Sequence, residues 1–225
     1  MSIRVERFDD DAAVAREAAR FVAARAREAV APGEGAAFTF AVSGGHTPWA
    51  MFAALASKDM PWEKTSIYQV DERVAPAGDR DRNLTHLRES LPPAAGADIH
   101  AMPVDAPDLD RAAEAYADSL PPSFDLIHLG LGPDGHTASL VPGDPVLDVE
   151  DRDVALTGTY NGRRRMTLTY PVLERAPNVL WLVTGADKVD VLRRLQAGDR
   201  AIPAARVSAA NATAIVDEAA AGVHP

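Results

Sequence analysis

Residues 124–143 read FDLIHLGLGPDGHTASLVPG. The run 124–131 is apolar apart from Asp125 near its start and His128, a pattern suited to a strand covered on both faces and hence to a parallel sheet flanked by helices. The chain then bends through Gly130, Gly132, Pro133 and Gly135, presents His136, Thr137 and Ser139, and breaks again at Pro142-Gly143. Open α/β sheets carry their chemistry beyond strand carboxyl ends, and imidazole is suited to taking a proton near neutral pH. His136 is therefore a candidate base; the plain alternative is a solvated histidine on a turn that needs glycine for its dihedrals. Residues 130–135 match G-x-G-x-x-G in form, but Pro142-Gly143 cuts short the long helix a dinucleotide site requires, and the bend lies past mid-chain.

Around this stretch strands and helices alternate. Residues 3–8 read as a short strand, and Asp9-Asp10-Asp11 open a long Ala-rich helix to about Val30, ended by Pro32-Gly33. The apolar strand 36–42 feeds Ser43-Gly44-Gly45-His46-Thr47-Pro48, with Thr47 as the N-cap of a helix over 49–57. Paired glycines before a helix N-terminus bring backbone N–H groups close to an anion, so Ser43, Gly44 and Gly45 are candidate phosphate ligands. A simple strand-to-helix turn would need the same glycines, and both readings stand. The lysine and spacing of a P-loop are missing.

Strand 66–70 ends in Asp71-Glu72-Arg73, charges expected to face solvent or a polar crevice, where Arg73 suits a phosphate. A charged loop at 79–83 precedes a helix over 84–91, residues 92–107 read as loop, and a helix over 109–120 leads to the central strand. Strands are expected at 154–159 and 166–170. Arg163-Arg164-Arg165 beside the second reads as a solvated edge in preference to a lid over an anion. Strand 179–183 ends at Gly185, and Lys188 then opens a helix, where the dipole disfavours a cation and suggests another purpose for it. A last amphipathic helix is expected over 214–221.

This alternation predicts one domain over 1–225, a three-layer α/β/α fold with a mostly parallel, Rossmann-like sheet. Segments 43–45, 71–73, 132–136 and 185–188 all follow apolar strands, so in such a sheet they converge on one edge: an anion cradle, two cations and a base. The net charge of −10 argues against a nucleic-acid partner, while a local cation cluster still allows an anionic small molecule. With no cysteine there is no disulfide or thiolate chemistry, and no ligand cluster suggests a metal. The start lacks a signal-peptide core and no apolar stretch approaches a membrane span, so a cytoplasmic protein is expected.

AVSGGHTP at 41–48, VDERVAP at 70–76 followed by Asn83, LGLGPDGHTASLVPG at 129–143, RMTLTYPVL at 165–173 and VTGADKVDVLRR at 183–194 resemble, in order, the motifs of the 6-phosphogluconolactonases. The related glucosamine-6-phosphate deaminases continue after the GxGxDGH element with I-A-F-N-E-P, where this chain has Thr137-Ala-Ser-Leu-Val-Pro, and follow Asp-Glu with Tyr, where this chain has Arg73. The chain departs from the lactonases at Val141, commonly Phe, at Arg82-Asn83, often Ser-Asn, and in lacking the late tryptophan around 211–215.

The resemblance implies hydrolysis of 6-phospho-D-glucono-1,5-lactone in the oxidative pentose phosphate route, without a cofactor. It implies His136 as base with Asp134 as its orienting partner. Ser43, Gly44, Gly45, Asp71, Arg73, Asn83, Gly135 and Lys188 would hold substrate, and backbone N–H groups of the Gly-rich bend would meet the oxyanion. A monomer with a small-molecule substrate, and neither membrane nor nucleic acid as partner, is the expectation. Two other readings stay open: a sugar-phosphate isomerase or deaminase working through Asp71 or Glu72, and a non-catalytic sugar-phosphate-binding protein.

Overall fold

The computed structural model describes residues 3–33, 35–91 and 96–223. Strand β1 (Ile3–Phe8) leads into helix α1 (Asp11–Val30), whose start is capped by the Asp10 carboxylate accepting the Ala13 N–H at 2.7 Å. Val14, Ala18, Val22 and Ala26 form part of its buried stripe, and their small size lets the helix lie close on the sheet. Then come β2 (Phe38–Val42), α2 (His46–Leu55), β3 (Thr65–Gln69), β4 (Asp71–Arg73), α3 (Asn83–Ser90), β5 (Asp98–His100), α4 (Leu109–Asp118) and β6 (Leu126–Gly130). The second half adds β7 (Val154–Leu156), β8 (Arg165–Leu168), α5 (Tyr170–Arg175), β9 (Asn178–Val183), α6 (Val189–Gln196) and β10 (Asn211–Asp217).

Seven strands pair in parallel in the order β1-β10-β9-β6-β2-β3-β5, with helices on both faces. Consecutive strand residues divide between two cores, as the two-residue period dictates. Phe40, Leu180 and Leu182 pack with α1 and α2, whereas Ala41, Trp181 and Val183 pack with α4, α5 and α6. A second, antiparallel sheet, β4-β8-β7, joins the main one at Val70, which donates to Val42 O at 3.0 Å and accepts from Leu168 N at 2.8 Å.

From β2 the chain builds outward through β3 to β5; from β6 it builds the opposite way through β9 to β10. The direction reverses between β2 and β6. Such a switch opens a crevice beyond the strand carboxyl ends. Ser43 follows β2 and Gly132 follows β6, so topology places the two Gly-rich segments at this crevice.

Several local expectations are corrected. Residues 214–221 are not a helix: Ala214, Ile215 and Val216 lie in β10 between β1 and β9, with Ile215 in one core and its neighbours in the other. Ile215 and Val216 are β-branched and suit a strand paired on both sides; the helix-forming residues 218–221 lie beyond it. The expected loop 92–107 contains β5, too short an edge strand to announce itself, and 92–95 lie outside the described residues. Helix α2 starts at His46 with Gly45 as N-cap, and the Thr47 hydroxyl meets Thr184 Oγ1 at 2.7 Å instead of capping. Asp71-Glu72-Arg73 is a strand, and Asp71 and Glu72 are buried. Among the described residues no helix is long and apolar enough to cross a membrane.

Candidate active site

The crevice is a cleft of about 260 Å³. Ser43 and Gly44 reach it from β2, Asp71, Arg73 and Asn83 from the β4 side, and His136 and Lys188 from the turns after β6 and β9. Gly45, Asp134 and Gly135 are not among the lining residues. Arg165 also lines the cleft, whose lining thus includes Arg73, Arg165 and Lys188, the last paired with Asp187 at 2.8 Å, against the one carboxylate of Asp71. A chain with a net charge of −10 thus has a locally cationic pocket, the setting an anionic ligand needs.

The β2 side is built for close approach. Gly45 takes φ 135°, a backbone conformation suited to glycine, and no side chain caps α2, so the positive end of that helix stays open. Gly44 lies so near the Asn83 amide that a Cβ built there overlaps it. Behind the turn, His128 is fully buried with Nδ1 accepting the Ser43 N–H at 3.3 Å; burial drives its pKa down to about 3, so the ring is neutral. In sequence His128 was only a polar interruption in an apolar run.

Arg73 is held by two acceptors, Asn83 Oδ1 at 2.6 Å and Asp81 O at 2.9 Å. Asn83 is fixed in turn through Nδ2, which donates to Asp71 O at 3.0 Å. Beneath both lies Glu72, fully buried, accepting from the N–H groups of Arg73 (2.8 Å), Asn83 (2.7 Å) and Leu84 (2.8 Å) and from Gln69 Nε2 (2.9 Å). Glu72 therefore does not face solvent or the crevice; it caps α3 from a neighbouring strand. Asp71 accepts Ser139 Oγ–H at 2.6 Å, and Ser139 is wholly buried. That hydroxyl is committed to a carboxylate and shielded, the opposite of an exposed nucleophile.

His136 Nδ1 lies 2.5 Å from Asp134 Oδ1. An imidazole that donates there keeps the proton on Nδ1 and leaves Nε2 as its basic nitrogen, with no protein partner among the described residues. For Asp134, burial works to raise the pKa. Hydrogen bonds from the His136 N–H and ring, and then from the Tyr160 hydroxyl, outweigh it and hold the carboxyl below its ordinary value. The bend spends its own amides: Gly132 N–H donates to His136 O at 2.9 Å, Gly135 N–H to Gly132 O at 2.9 Å, and His136 N–H to Asp134 Oδ1 at 3.1 Å. These three N–H groups hold the turn and are not free for an oxyanion. Gly135 also carries φ 85° and packs on Ile202.

The His136 ring lies over Gly132, where a built Cβ would overlap it. Gly132→Ala is therefore expected to push the ring off its position, lowering turnover roughly 100-fold with little loss of affinity for the product, since a misplacement of about 1 Å costs that much. Paired measurement of kcat and product Kd checks this; unchanged kcat would refute it.

The arginine triplet divides. Arg163 pairs with Asp79 and Asp81 at the rim, as an edge cation would, whereas Arg165 is buried on β8 with its guanidinium 5.0 Å from the Tyr160 ring centroid. The alternation of 165–168 signals a strand, but not which of the arginines points inward.

The model of the family described as glucosamine-6-phosphate isomerases/6-phosphogluconolactonase matches residues 9–216. The 6-phosphogluconolactonase of Synechocystis sp. is 40% identical over 170 residues, 68% of this chain and 69% of that protein. That of Rhizobium meliloti is 33% identical over 214 residues, 89% of this chain and 91% of its own length. The solved structure of a 6-phosphogluconolactonase from Thermotoga maritima shares the fold with a TM-score of 0.84 at 24% identity, over 96% of this chain and 100% of that one. A monomeric glucosamine-6-phosphate deaminase shares it equally, with a TM-score of 0.85 at 17% identity over 99% and 100% of the two chains. Fold alone thus does not separate the two activities, but the matched segment and the closer sequence relatives settle the lineage: the chain belongs to the glucosamine-6-phosphate isomerase/6-phosphogluconolactonase family.

Proposed function

We propose that the protein hydrolyses 6-phospho-D-glucono-1,5-lactone to 6-phospho-D-gluconate, the lactonase activity for which its closer relatives are named. The observation that carries the reading is the Asp134-oriented His136 at a cleft that is otherwise cationic. The phosphate binds at the open end of α2, against Ser43, Gly44 and Gly45, and is neutralised by Arg73 and Lys188. Asn83 holds Arg73 in place. Binding energy from this remote group positions the lactone carbonyl.

His136 Nε2 takes a proton from water as the oxygen attacks the carbonyl carbon. With three amides of the bend committed to the turn, Arg165 is the remaining cation of the cleft for the oxyanion, in contact with the same Tyr160 ring as His136. Collapse breaks the bond between carbonyl carbon and ring oxygen, and the imidazolium returns its proton to that oxygen. Asp134 holds the tautomer and balances the transient charge, and Asp71 orders the floor through Ser139 and Asn83.

The test is loss of freshly generated 6-phospho lactone in the presence of the protein, measured above the spontaneous rate. Acceleration proportional to protein concentration supports the reading. No acceleration, with 6-phosphogluconate still bound, would favour a non-catalytic binder. Turnover of an amino-sugar phosphate lost in Asp71→Asn would favour the deaminase reading; Glu72, fully buried and used by four donors, is not placed for that role.

A further inference from the structure

Tyr160 sits at the base of a tight hairpin turn. Its N–H donates to Arg163 O at 3.0 Å and its carbonyl accepts from Arg163 N at 3.3 Å. Asn161 (φ 50°) and Gly162 (φ 78°) fill the two left-handed positions such a turn requires. The turn is tied down beyond them, where Arg163 reaches Asp81 Oδ2 at 2.9 and 3.1 Å and Asp79 Oδ2 at 3.2 Å. Asp81 also supplies the carbonyl that supports Arg73, so the hairpin is anchored to a loop that already serves the cleft.

Held there, the phenol makes three contacts. Its hydroxyl donates to Asp134 Oδ2 at 3.2 Å, the carboxylate oxygen opposite the one facing His136. Its ring meets the His136 ring edge to face, with centroids 5.4 Å apart and planes at 66°. Its face carries the Arg165 guanidinium. Burial first, and then the Asp134 charge, push the phenol pKa up, so the hydroxyl remains a donor at neutral pH. The other charged groups around the pair are Arg165 and, in the same cleft, Asp71, Arg73 and Lys188.

We infer that Tyr160 is a positioning residue for the Asp134–His136 pair, its hydroxyl fixing the carboxylate that orients the base and its ring packing on the imidazole. A carboxylate bonded through both oxygens cannot rotate away from the imidazole. Without the aromatic ring, the imidazole would lose its edge-to-face neighbour and with it the packing that keeps it against Asp134. The catalytic consequence rests on the lactonase reading; the effect on Asp134 does not.

Tyr160→Phe keeps the ring and removes the hydroxyl. A ¹³C titration of the Asp134 carboxyl in the free protein is expected to move up by roughly half a unit, because a donor that favours the ionised form is gone. In lactone hydrolysis kcat is expected to fall roughly 3- to 10-fold with KM unchanged. Tyr160→Ala, which also removes the ring packed on His136, is expected to lose about another tenfold in kcat. An Asp134 midpoint equal to wild type together with undiminished kcat in Tyr160→Phe would overturn the inference, as would a change confined to KM. Absence of turnover in the wild type would remove the lactonase reading alone, and the titration would still decide the role of Tyr160.

Discussion

His136→Ala is expected to bring lactone opening close to the spontaneous rate while the protein still binds 6-phosphogluconate. The substitution removes Nε2, the basic nitrogen that Asp134 leaves unprotonated, and a positioned general base contributes roughly 10²- to 10⁴-fold. That corresponds to about 3–5 kcal/mol of barrier. The groups assigned to the phosphate sit on other elements, Gly44 after β2, Arg73 on β4 and Lys188 after β9, and none is bonded to the imidazole. Affinity for the product should therefore change little, and a half-exposed ring contributes modestly to the core, so the melting temperature should stay near that of wild type. Kinetics with fresh lactone and calorimetric titration with 6-phosphogluconate check both halves. A fully active variant would mean that another group activates the water, with Asp71 the next to replace.

Glu72→Ala should produce the largest loss of stability. The side chain is completely buried, and its two oxygens take four hydrogen bonds of 2.7–2.9 Å, three of them from backbone N–H groups. Truncation strands those donors where water cannot easily reach and uncaps α3, for which Arg82 at the N-cap offers no side-chain bond. Each stranded donor costs about 1–3 kcal/mol before relaxation. A net loss of about 3–5 kcal/mol is expected, allowing for partial collapse of the site. For a chain of this size that is roughly 10 °C in melting temperature. Because Glu72 also sets the backbone of Arg73 and Asn83, product affinity should weaken in parallel, with Glu72→Gln intermediate in both. Thermal unfolding within about 2 °C of wild type would show that the buried carboxylate is not the support described here.

The strands that were legible are those whose residues are covered on both sides. The runs ending at Val42 and Val183, and the one through Leu126 and Leu129, have few polar residues because helices pack on both faces of the sheet, and Gly or Pro marks where each stops. Where composition and environment disagree, local reading failed. The acidic and Ala-rich residues 217–221 suggest a helix reaching back to Ala214, but β-branched Thr213, Ile215 and Val216 are paired between β1 and β9. Glu72 is charged yet fully enclosed, because the donors that satisfy it arrive from the start of α3, ten or more residues later. Arg165 could not be told from Arg163 until β8 was paired with β4, which turns one inward and leaves the other at the rim.

Local patterning specifies the α/β class, the Gly-rich breaks after β2, β6 and β9, and the chemistry-bearing residues that follow them, because apolar periodicity and glycine and proline placement are properties of short segments. The folded chain adds the reversal of sheet order between β2 and β6, which brings those breaks to one cleft, the hold of His128 on Ser43, the addition of Arg165 to Arg73 and Lys188, and the reach of Tyr160 to Asp134. Each of these depends on which strands become neighbours. That choice is made by packing two cores at once, between segments far apart in the chain, and no short stretch of sequence records it.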